Sequence, residues 1–195
     1  MCSNMSKKSN KAKSEKMKLR KMGELKRALI FGRFQPFHIG HLMVIRWALK
    51  KYDELVLLVG MADESHTTQN PFTAGERIWM IREALKEANI NLDRIITATV
   101  PTMSVYVGHA YYIINLVPKV HAIITRNPVI AQAFKDAGLE VVVPPEFDRS
   151  KYRGSYIRQL MLDDKPWEDL VPKAVRNIIK LLNGVERLKK ASSMD

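Results

Sequence analysis

The sequence predicts an α/β fold, an open and mostly parallel sheet flanked by helices, with further helices at its C-terminus. Apolar runs of strand length alternate with segments of helical period over residues 27–144, which is typical of successive βαβ units. Turn and cap signals separate these segments. The 195 residues, of which 46% are hydrophobic, are enough for one well-packed domain but too few for two of ordinary size.

Five apolar runs are predicted to be strands, at residues 27–31, 54–61, 94–100, 121–125 and 139–144. Segments of helical period lie between them and predict helices at 39–52, 73–88, 105–117 and 128–137. Two more helices, near 153–163 and 166–183, are predicted after the last strand. Thr73 followed by Glu76 is a capping-box pattern that predicts the start of the second helix. Gly138 is placed to end the fourth helix.

Charge is unevenly distributed along the chain. The formal net charge is +12, of which residues 1–27 carry +8, so the rest has a balance ordinary for a domain that binds anions. Segment 1–26 is rich in Lys and Ser and poor in aromatics, which predicts a disordered tail before a single domain over 27–187 and a short tail over 188–195. An alternative interpretation makes the basic tail a nucleic-acid arm, with salt-dependent affinity that deletion of the tail would abolish.

Several functional classes are disfavoured. The single cysteine, Cys2, cannot form an intrachain disulfide, and its polar surroundings argue against a thiolate nucleophile or metal cage. No apolar stretch approaches the roughly 18 residues that span a bilayer, so a cytoplasmic protein without a membrane partner is expected. The sequence argues against a nicotinamide dehydrogenase, because no G-x-G-x-x-G follows a predicted strand.

The segment GRFQPFHIGH, from Gly32 to His41, carries the strongest functional signal. It joins the first predicted strand to the first helix, where open parallel sheets bind ligands. Gly32 permits a tight turn, and Gly40 leaves room for close approach. His38 and His41 stand one helical turn apart, so their imidazoles and the helix N-terminal amides suit a phosphate. The alternative interpretation is that His38 and His41 are ordinary capping histidines. A zinc site is a weaker interpretation, because no carboxylate or thiol has the required spacing.

The motif fits the G-x-F-x-P-x-H-x-G-H signature, and the chain resembles the archaeal type of nicotinamide-mononucleotide (NMN) adenylyltransferase, in the nucleotidyltransferase superfamily with the H-x-G-H motif. The first motif alone indicates only the superfamily. The NPFTAGER and GSYIR stretches narrow the resemblance considerably, toward the archaeal NMN adenylyltransferases. The supporting stretches lie at residues 64–81, 125–134, 140–161 and 171–188.

This resemblance implies a Rossmann-like fold and transfer of AMP from ATP to NMN, giving NAD and pyrophosphate without a covalent enzyme intermediate. It implies Mg²⁺ held by the ATP phosphates rather than by protein side chains, no tightly bound organic cofactor, and a homo-oligomer, expected to be a hexamer. Nucleic acid is not an expected partner. Phosphopantetheine, FMN or a polyol phosphate stays open as the acceptor, because the H-x-G-H motif does not separate these enzymes.

The resemblance also implies the site residues. The catalytic residues are His38, His41, Arg33 and Arg158. The ATP-binding residues are Gly32, Arg33, Phe34, His38, Gly40, His41, Asn127, Pro128, Ser155 and Arg158. The acceptor-binding residues are Asn70, Pro71, Phe72, Arg77 and Tyr106. Two positions depart from the family pattern, since Tyr106 stands where relatives commonly have Trp and Arg126 replaces the usual Gly.

Overall fold

The computed structural model describes residues 25–103, 107–148 and 150–194. In this part of the chain, five strands form one parallel sheet, in the order β3-β2-β1-β4-β5. The strands are β1 (Arg27–Gly32), β2 (Glu54–Val59), β3 (Ile95–Thr99), β4 (Ala122–Ile124) and β5 (Glu140–Val142). The predicted α/β class and the position of every predicted strand are confirmed. The basic tail lies outside the described residues except for its last two positions.

The strand order determines where a ligand can bind. The chain winds from β1 outward through β2 to β3 and then returns to the other side of β1, where β4 pairs with it through Ala28↔Ala122 and Leu29↔Ile123. The crossovers that leave β1 and β4 therefore run in opposite directions along the sheet. Such a reversal opens a crevice beyond the carboxyl ends of the two strands.

Seven α-helices are described: α1 (Ile39–Ala48), α2 (Ala74–Glu87), α3 (Val107–Leu116), α4 (Pro128–Asp136), α5 (Gly154–Leu162), α6 (Lys173–Leu181) and α7 (Gly184–Ser192). They cover both faces of the sheet. Leu55 and Leu57 of β2 pack into one hydrophobic core, whereas Val56 and Leu58 pack into a second core that includes residues of α3 and α4. Burial of successive side chains on opposite faces explains why the strands read as continuous apolar runs.

Two predicted cap signals are confirmed. The Thr73 hydroxyl accepts a hydrogen bond from the Glu76 N–H at 3.2 Å, and the Glu76 carboxylate accepts one from the Thr73 N–H at 2.9 Å. Gly138 follows α4 with a φ of +86°. Thr73 thus starts α2 after the loop that follows β2, and Gly138 ends α4 just before β5. In the residues that the structure describes, no helix has the length and apolar character needed to cross a membrane.

The C-terminal region differs from the prediction. The prediction of a single helix over 166–183 is wrong, because Glu168–Leu170 forms a 3₁₀ turn and α6 starts only after Pro172. Packed structure also continues beyond the predicted domain boundary at 187. Helix α7 continues to Ser192, and its Leu188 is fully buried in the core, which the surrounding lysines concealed in the sequence.

Candidate functional site

A cleft of about 420 Å³ opens beyond the carboxyl ends of β1 and β4. Its walls come from the β1–α1 loop, the start of α1, the residues after β4 and β5, and the start of α5. The charged side chains among the described lining residues are Arg33, Arg126, Arg153, Arg158 and Glu146. Four guanidinium groups against one carboxylate make this cleft strongly cationic, which favours a polyanionic ligand.

His38 and His41 lie on the floor of this cleft as a stacked pair. Their ring centroids are 3.6 Å apart, with an interplanar angle of 19°. His38 is the N-cap of α1, and its Nδ1 accepts a hydrogen bond from the His41 N–H at 3.3 Å. In return, the His41 Nδ1 accepts from the His38 N–H at 3.2 Å. The pair therefore caps the helix in the way that a Ser and Glu capping box does.

This reciprocal capping fixes the chemical form of both rings. A nitrogen that accepts an N–H bond carries no proton, so each neutral imidazole holds its proton on Nε2. Burial lowers the pKa of His38 to about 4. Burial first, and then the neighbouring His38, lower the pKa of His41 well below 6.5. The two rings thus offer neutral Nε2–H donors. The capping interpretation holds for the Nδ1 atoms, and each Nε2–H stays available for the predicted contact with a phosphate.

The lowered pKa of His38 predicts that the folded protein becomes less stable as the pH decreases from 7 to 5. The unfolded chain takes up a proton on His38 below about pH 6.5, while the folded protein resists protonation down to about pH 4. The unfolded state therefore binds more protons in this window, and stability is lost as pH falls through it. We expect His38 to contribute a loss of about 2 kcal/mol between pH 7 and pH 5. Urea unfolding of the wild type and of His38→Asn at both pH values measures this difference. An equal loss in the two proteins would contradict it.

Phe34 and Gly40 hold the histidine pair in position. Phe34 is 2% exposed, has a φ of 53°, and places its ring edge-on to His41 at 4.8 Å between centroids. A β-carbon on Gly40 would lie 2.8 Å from the Tyr152 Cβ. Tyr152 thus leaves no room for a side chain at position 40, while Gly40 itself lines the cleft as the sequence interpretation expects.

Arg158 and Ser155 face the histidines from the start of α5. Ser155 is exposed in the first turn of this helix, where backbone N–H groups favour an anion. Arg158 is 8% exposed, and its guanidinium donates to the Gln35 carbonyl at 2.8 Å and to the Thr68 carbonyl at 3.0 Å. Burial, followed by the nearby charge of Arg33, lowers the pKa of Arg158 to about 10. The group stays cationic and is held rigidly against the cleft.

Other predicted ATP-side residues differ in their placement. Arg33 is exposed and lines the cleft, while Gly32 ends β1 directly before it. Asn127 and Pro128 begin α4, and the Asn127 Oδ1 accepts hydrogen bonds from the N–H groups of the first helical turn. Neither of these two residues lines the cleft. The structure therefore supports their helix-starting role and does not bring them to the triphosphate region.

The predicted acceptor residues are largely buried. Phe72 is fully buried in the core, and Pro71 is buried beside it. Asn70 is 1% exposed and donates to Glu64 at 2.7 Å. Side chains packed in this way shape the loop from within, and their contact with an acceptor stays a prediction. Tyr106 lies outside the described residues.

Arg77 is also a structural residue, which corrects its assignment to acceptor binding. It is fully buried, and its guanidinium donates four hydrogen bonds to backbone carbonyls. The carbonyls belong to Thr73, Arg33, Gly60 and Met61, at 2.6–3.2 Å. Burial is the main cause that lowers the pKa of Arg77 to about 10. Arg77 thus ties the loop after β1 to the loop after β2.

We expect Arg77→Met to destabilise the protein by about 3 kcal/mol, because buried carbonyls lose their donors while the side-chain volume is nearly kept. Chemical unfolding measures this loss. Arg77→Lys is the matched variant and should lose less, since an ammonium group replaces some of the donors. If Arg77→Met unfolds at the same denaturant concentration as the wild type, the structural role of Arg77 is contradicted.

Comparison with known proteins decides the family. The sequence profile described as cytidylyltransferase-like matches residues 29–160. The chain belongs to the cytidylyltransferase-like family. Its H-x-G-H histidines and its GSYIR segment both fall within the matched region.

Relatives of this cytidylyltransferase-like chain confirm the resemblance noted from the motifs. A nicotinamide-nucleotide adenylyltransferase of Saccharolobus solfataricus is 44% identical over 171 residues, which cover 88% of this chain and 99% of that protein. One from Ignicoccus hospitalis is 47% identical over 170 residues, covering 87% and 99%. The match therefore extends over almost the full length of these archaeal proteins.

A solved structure shares the fold. The bifunctional NMN adenylyltransferase/ADP ribose pyrophosphatase of Francisella tularensis, complexed with AMP and a manganese ion, superposes with a TM-score of 0.69 at 19% identity. The alignment covers 87% of this chain and 53% of the bifunctional one, so the chain spans about half of that protein. This likeness confirms the Rossmann-like arrangement of the cytidylyltransferase-like domain.

Sequence reasoning missed the residues that assemble the cleft of this family member. Gln35 is 3% exposed, and its side chain exchanges two hydrogen bonds with the Phe72 backbone, at 2.7 and 3.1 Å. A β-carbon on Gly154 would lie 2.8 Å from the Gln35 carbonyl oxygen, so α5 starts in direct contact with the β1–α1 loop. The sequence separation of these partners left no local pattern to detect. Only the glycine before Ser155 indicated a close approach.

Proposed function

We propose that this chain transfers AMP from ATP to nicotinamide mononucleotide, giving NAD and pyrophosphate. The single observation that carries the assignment of the cleft is its geometry: the stacked Nε2–H donors of His38 and His41 lie beside the cationic wall of Arg158 at the sheet's topological switch point. The adenylyltransferase relatives over nearly the whole chain support the choice of NMN as acceptor.

The histidine side of the cleft is proposed to receive the α-phosphate region of ATP. Two preoriented N–H donors stabilise the charge that develops on the phosphorus oxygens during transfer. Neutral rings suit this task, because Nδ1 stays committed to the backbone and the orientation of each Nε2–H is fixed. His38 and His41 are therefore assigned to transition-state stabilisation rather than to attack on phosphorus.

The opposite side is proposed to hold the leaving pyrophosphate. Arg158 supplies a planar cation, Ser155 a hydroxyl, and the first turn of α5 its backbone N–H groups and helix dipole. Arg33, exposed on the β1–α1 loop, is positioned to pair with a phosphate as well. These groups hold ATP so that its α-phosphorus faces the acceptor.

The proposed step is an in-line displacement. A 5′-phosphate oxygen of NMN forms a bond to the α-phosphorus of ATP, and the bond between this phosphorus and the β-bridging oxygen breaks. The bridging oxygen takes the electron pair and leaves as part of pyrophosphate. The protein residues position both nucleotides and neutralise the charge on the transferred group.

A divalent metal is expected to accompany ATP. No group of three or more His, Cys, Asp or Glu side chains that could hold a metal ion is found among the described residues. We propose Mg²⁺ held by the phosphate oxygens of ATP, because a hard cation prefers such ligands. When bound, the ion would neutralise charge on the triphosphate. The Francisella protein complexed with AMP and a manganese ion is consistent with this role.

The acceptor is proposed to bind near the loop after β2, on the far side of the histidine pair from β4. Residues 62–72 form this loop, and Arg158 contacts its Thr68 carbonyl. The buried residues Asn70 to Phe72 would shape the loop from within instead of touching NMN. Tyr106 is still proposed to stack on the nicotinamide ring, and a hexameric assembly and a cytoplasmic location stay predictions.

An acceptor panel tests this function. The protein is incubated with ATP and Mg²⁺ together with NMN, nicotinate mononucleotide, phosphopantetheine, FMN or a polyol phosphate, and pyrophosphate release is measured for each. We expect NMN to give the fastest release, with NAD as the product. Release with another acceptor and none with NMN would contradict the proposed acceptor but retain nucleotidyl transfer.

A further inference from the structure

We propose that Arg126 binds the polyphosphate of ATP by leaving a weak ion pair with Glu146, so that Glu146 competes with ATP for this arginine. The inference rests on the proposed function only in taking the ATP triphosphate as the ligand of the cleft. It assigns an affinity-setting role to Arg126, where the resemblance implies glycine.

Both side chains lie at the cleft. Arg126 follows β4 and lines the same space as His38 and Arg158. Glu146 lies in the segment after β5, the strand that pairs with β4, and also lines the cleft. It is the one carboxylate among the described lining residues, which makes it the natural internal partner for a lining arginine.

The ion pair is loose. The Arg126 Nη1 lies 3.9 Å from the Glu146 Oε2, beyond hydrogen-bonding distance, and the two side chains are 32% and 62% exposed. An exposed pair in such geometry contributes little to stability. A polyphosphate offers the same guanidinium several oxygens with which it can form paired, charge-assisted hydrogen bonds. Exchange of Glu146 for phosphate therefore favours the bound state.

The backbone around Arg126 is fixed, so the exchange needs only a side-chain movement. The Thr125 N–H donates to the Val142 carbonyl at 3.1 Å, which holds the end of β4 to β5. The Asn127 N–H donates to the Thr125 Oγ1 at 3.1 Å, and the Asn127 side chain caps α4. Arg126 thus projects from a rigid turn between two anchored residues.

Calorimetric titration of the full-length protein with ATP and Mg²⁺, without acceptor and at 150 mM salt, tests the exchange. We expect Arg126→Gln to weaken ATP binding about tenfold, the scale of one lost charged hydrogen-bond contact. Glu146→Gln should tighten binding about threefold, because Arg126 no longer has a competing partner. This tightening should largely disappear when Arg126→Gln is also present. Lys135→Gln, which removes a positive charge from the far end of α4, is the control and should leave binding unchanged.

Equal tightening by Glu146→Gln in both backgrounds would overturn the exchange, because it would show simple repulsion between Glu146 and ATP. Binding by Arg126→Gln equal to that of the Lys135→Gln control would overturn it as well. In either case, ATP binding by the wild type would leave the proposed function intact. Failure of the wild type to bind ATP would contradict the proposed function and this inference together.

Discussion

His41→Ala is expected to lower kcat by about a thousandfold, the scale of removing one preoriented donor from a transition state. The His41 ring is held in one orientation by the edge of Phe34 and by stacking on His38. Its Nδ1 is committed to the His38 N–H, so Nε2–H is the group available to the transferred phosphate. Steady-state kinetics with ATP and NMN measures the fall in kcat. The free energy of unfolding measures the effect of the substitution on stability.

A matched pair of variants separates catalysis from helix capping. At the N-cap, His38→Ala removes both the cap and the Nε2–H donor, whereas His38→Asn keeps an acceptor that suits the N-cap position. We expect His38→Ala to lose about 1 kcal/mol of stability and His38→Asn to lose much less. Both should lose most of their turnover. If His38→Asn restores turnover along with stability, the histidine is only a cap.

Arg158→Lys is expected to lower kcat about a hundredfold, although the positive charge is kept. The guanidinium spans two carbonyls, those of Gln35 and Thr68, while it faces the cleft. A lysine ammonium is a single point charge without this planar fork, so it cannot hold both carbonyls and a phosphate oxygen together. Kinetics at saturating ATP, compared with the KM for ATP, measures the loss in turnover separately from binding.

Arg94→Lys is the matched control for this prediction. The Arg94 guanidinium also donates to two backbone carbonyls, those of Leu49 and Tyr52, at 2.9 and 2.7 Å, and it does not line the cleft. The control should lose stability and retain turnover per folded molecule. A similar fall in kcat for both variants would show that Arg158 acts through general stability rather than through the phosphates.

Features with a local cause could be predicted from the sequence. The capping box of Thr73 and Glu76 requires only residues three apart, and the apolar runs of β1 and β2 follow from burial on both faces of the sheet. The H-x-G-H segment likewise carries its spacing within one helical turn. These patterns were sufficient for the fold class and for the placement of His38 and His41 at the end of β1, whereas Arg158 was assigned through the resemblance alone.

Features that depend on distant partners could not be predicted in this way. Phe72 and Arg77 belong to a stretch that resembles a substrate-binding motif, yet the core and the backbone carbonyls of two loops account for their burial. The same holds for Gln35, because its hydrogen-bond partner Phe72 is distant in the sequence. The resemblance singled out this stretch but did not distinguish residues that would touch a ligand from those that support the loop.

Transfer of labelled phosphate tests the central claim most directly. The protein is supplied with NMN, Mg²⁺ and ATP that carries a radioactive α-phosphate, and the products are separated by chromatography. We expect the label to appear in NAD, with one pyrophosphate released for each NAD formed, and to do so at least a hundredfold more slowly in His41→Ala. Label that stays in ATP, or that is released as free AMP without NAD, would contradict the account.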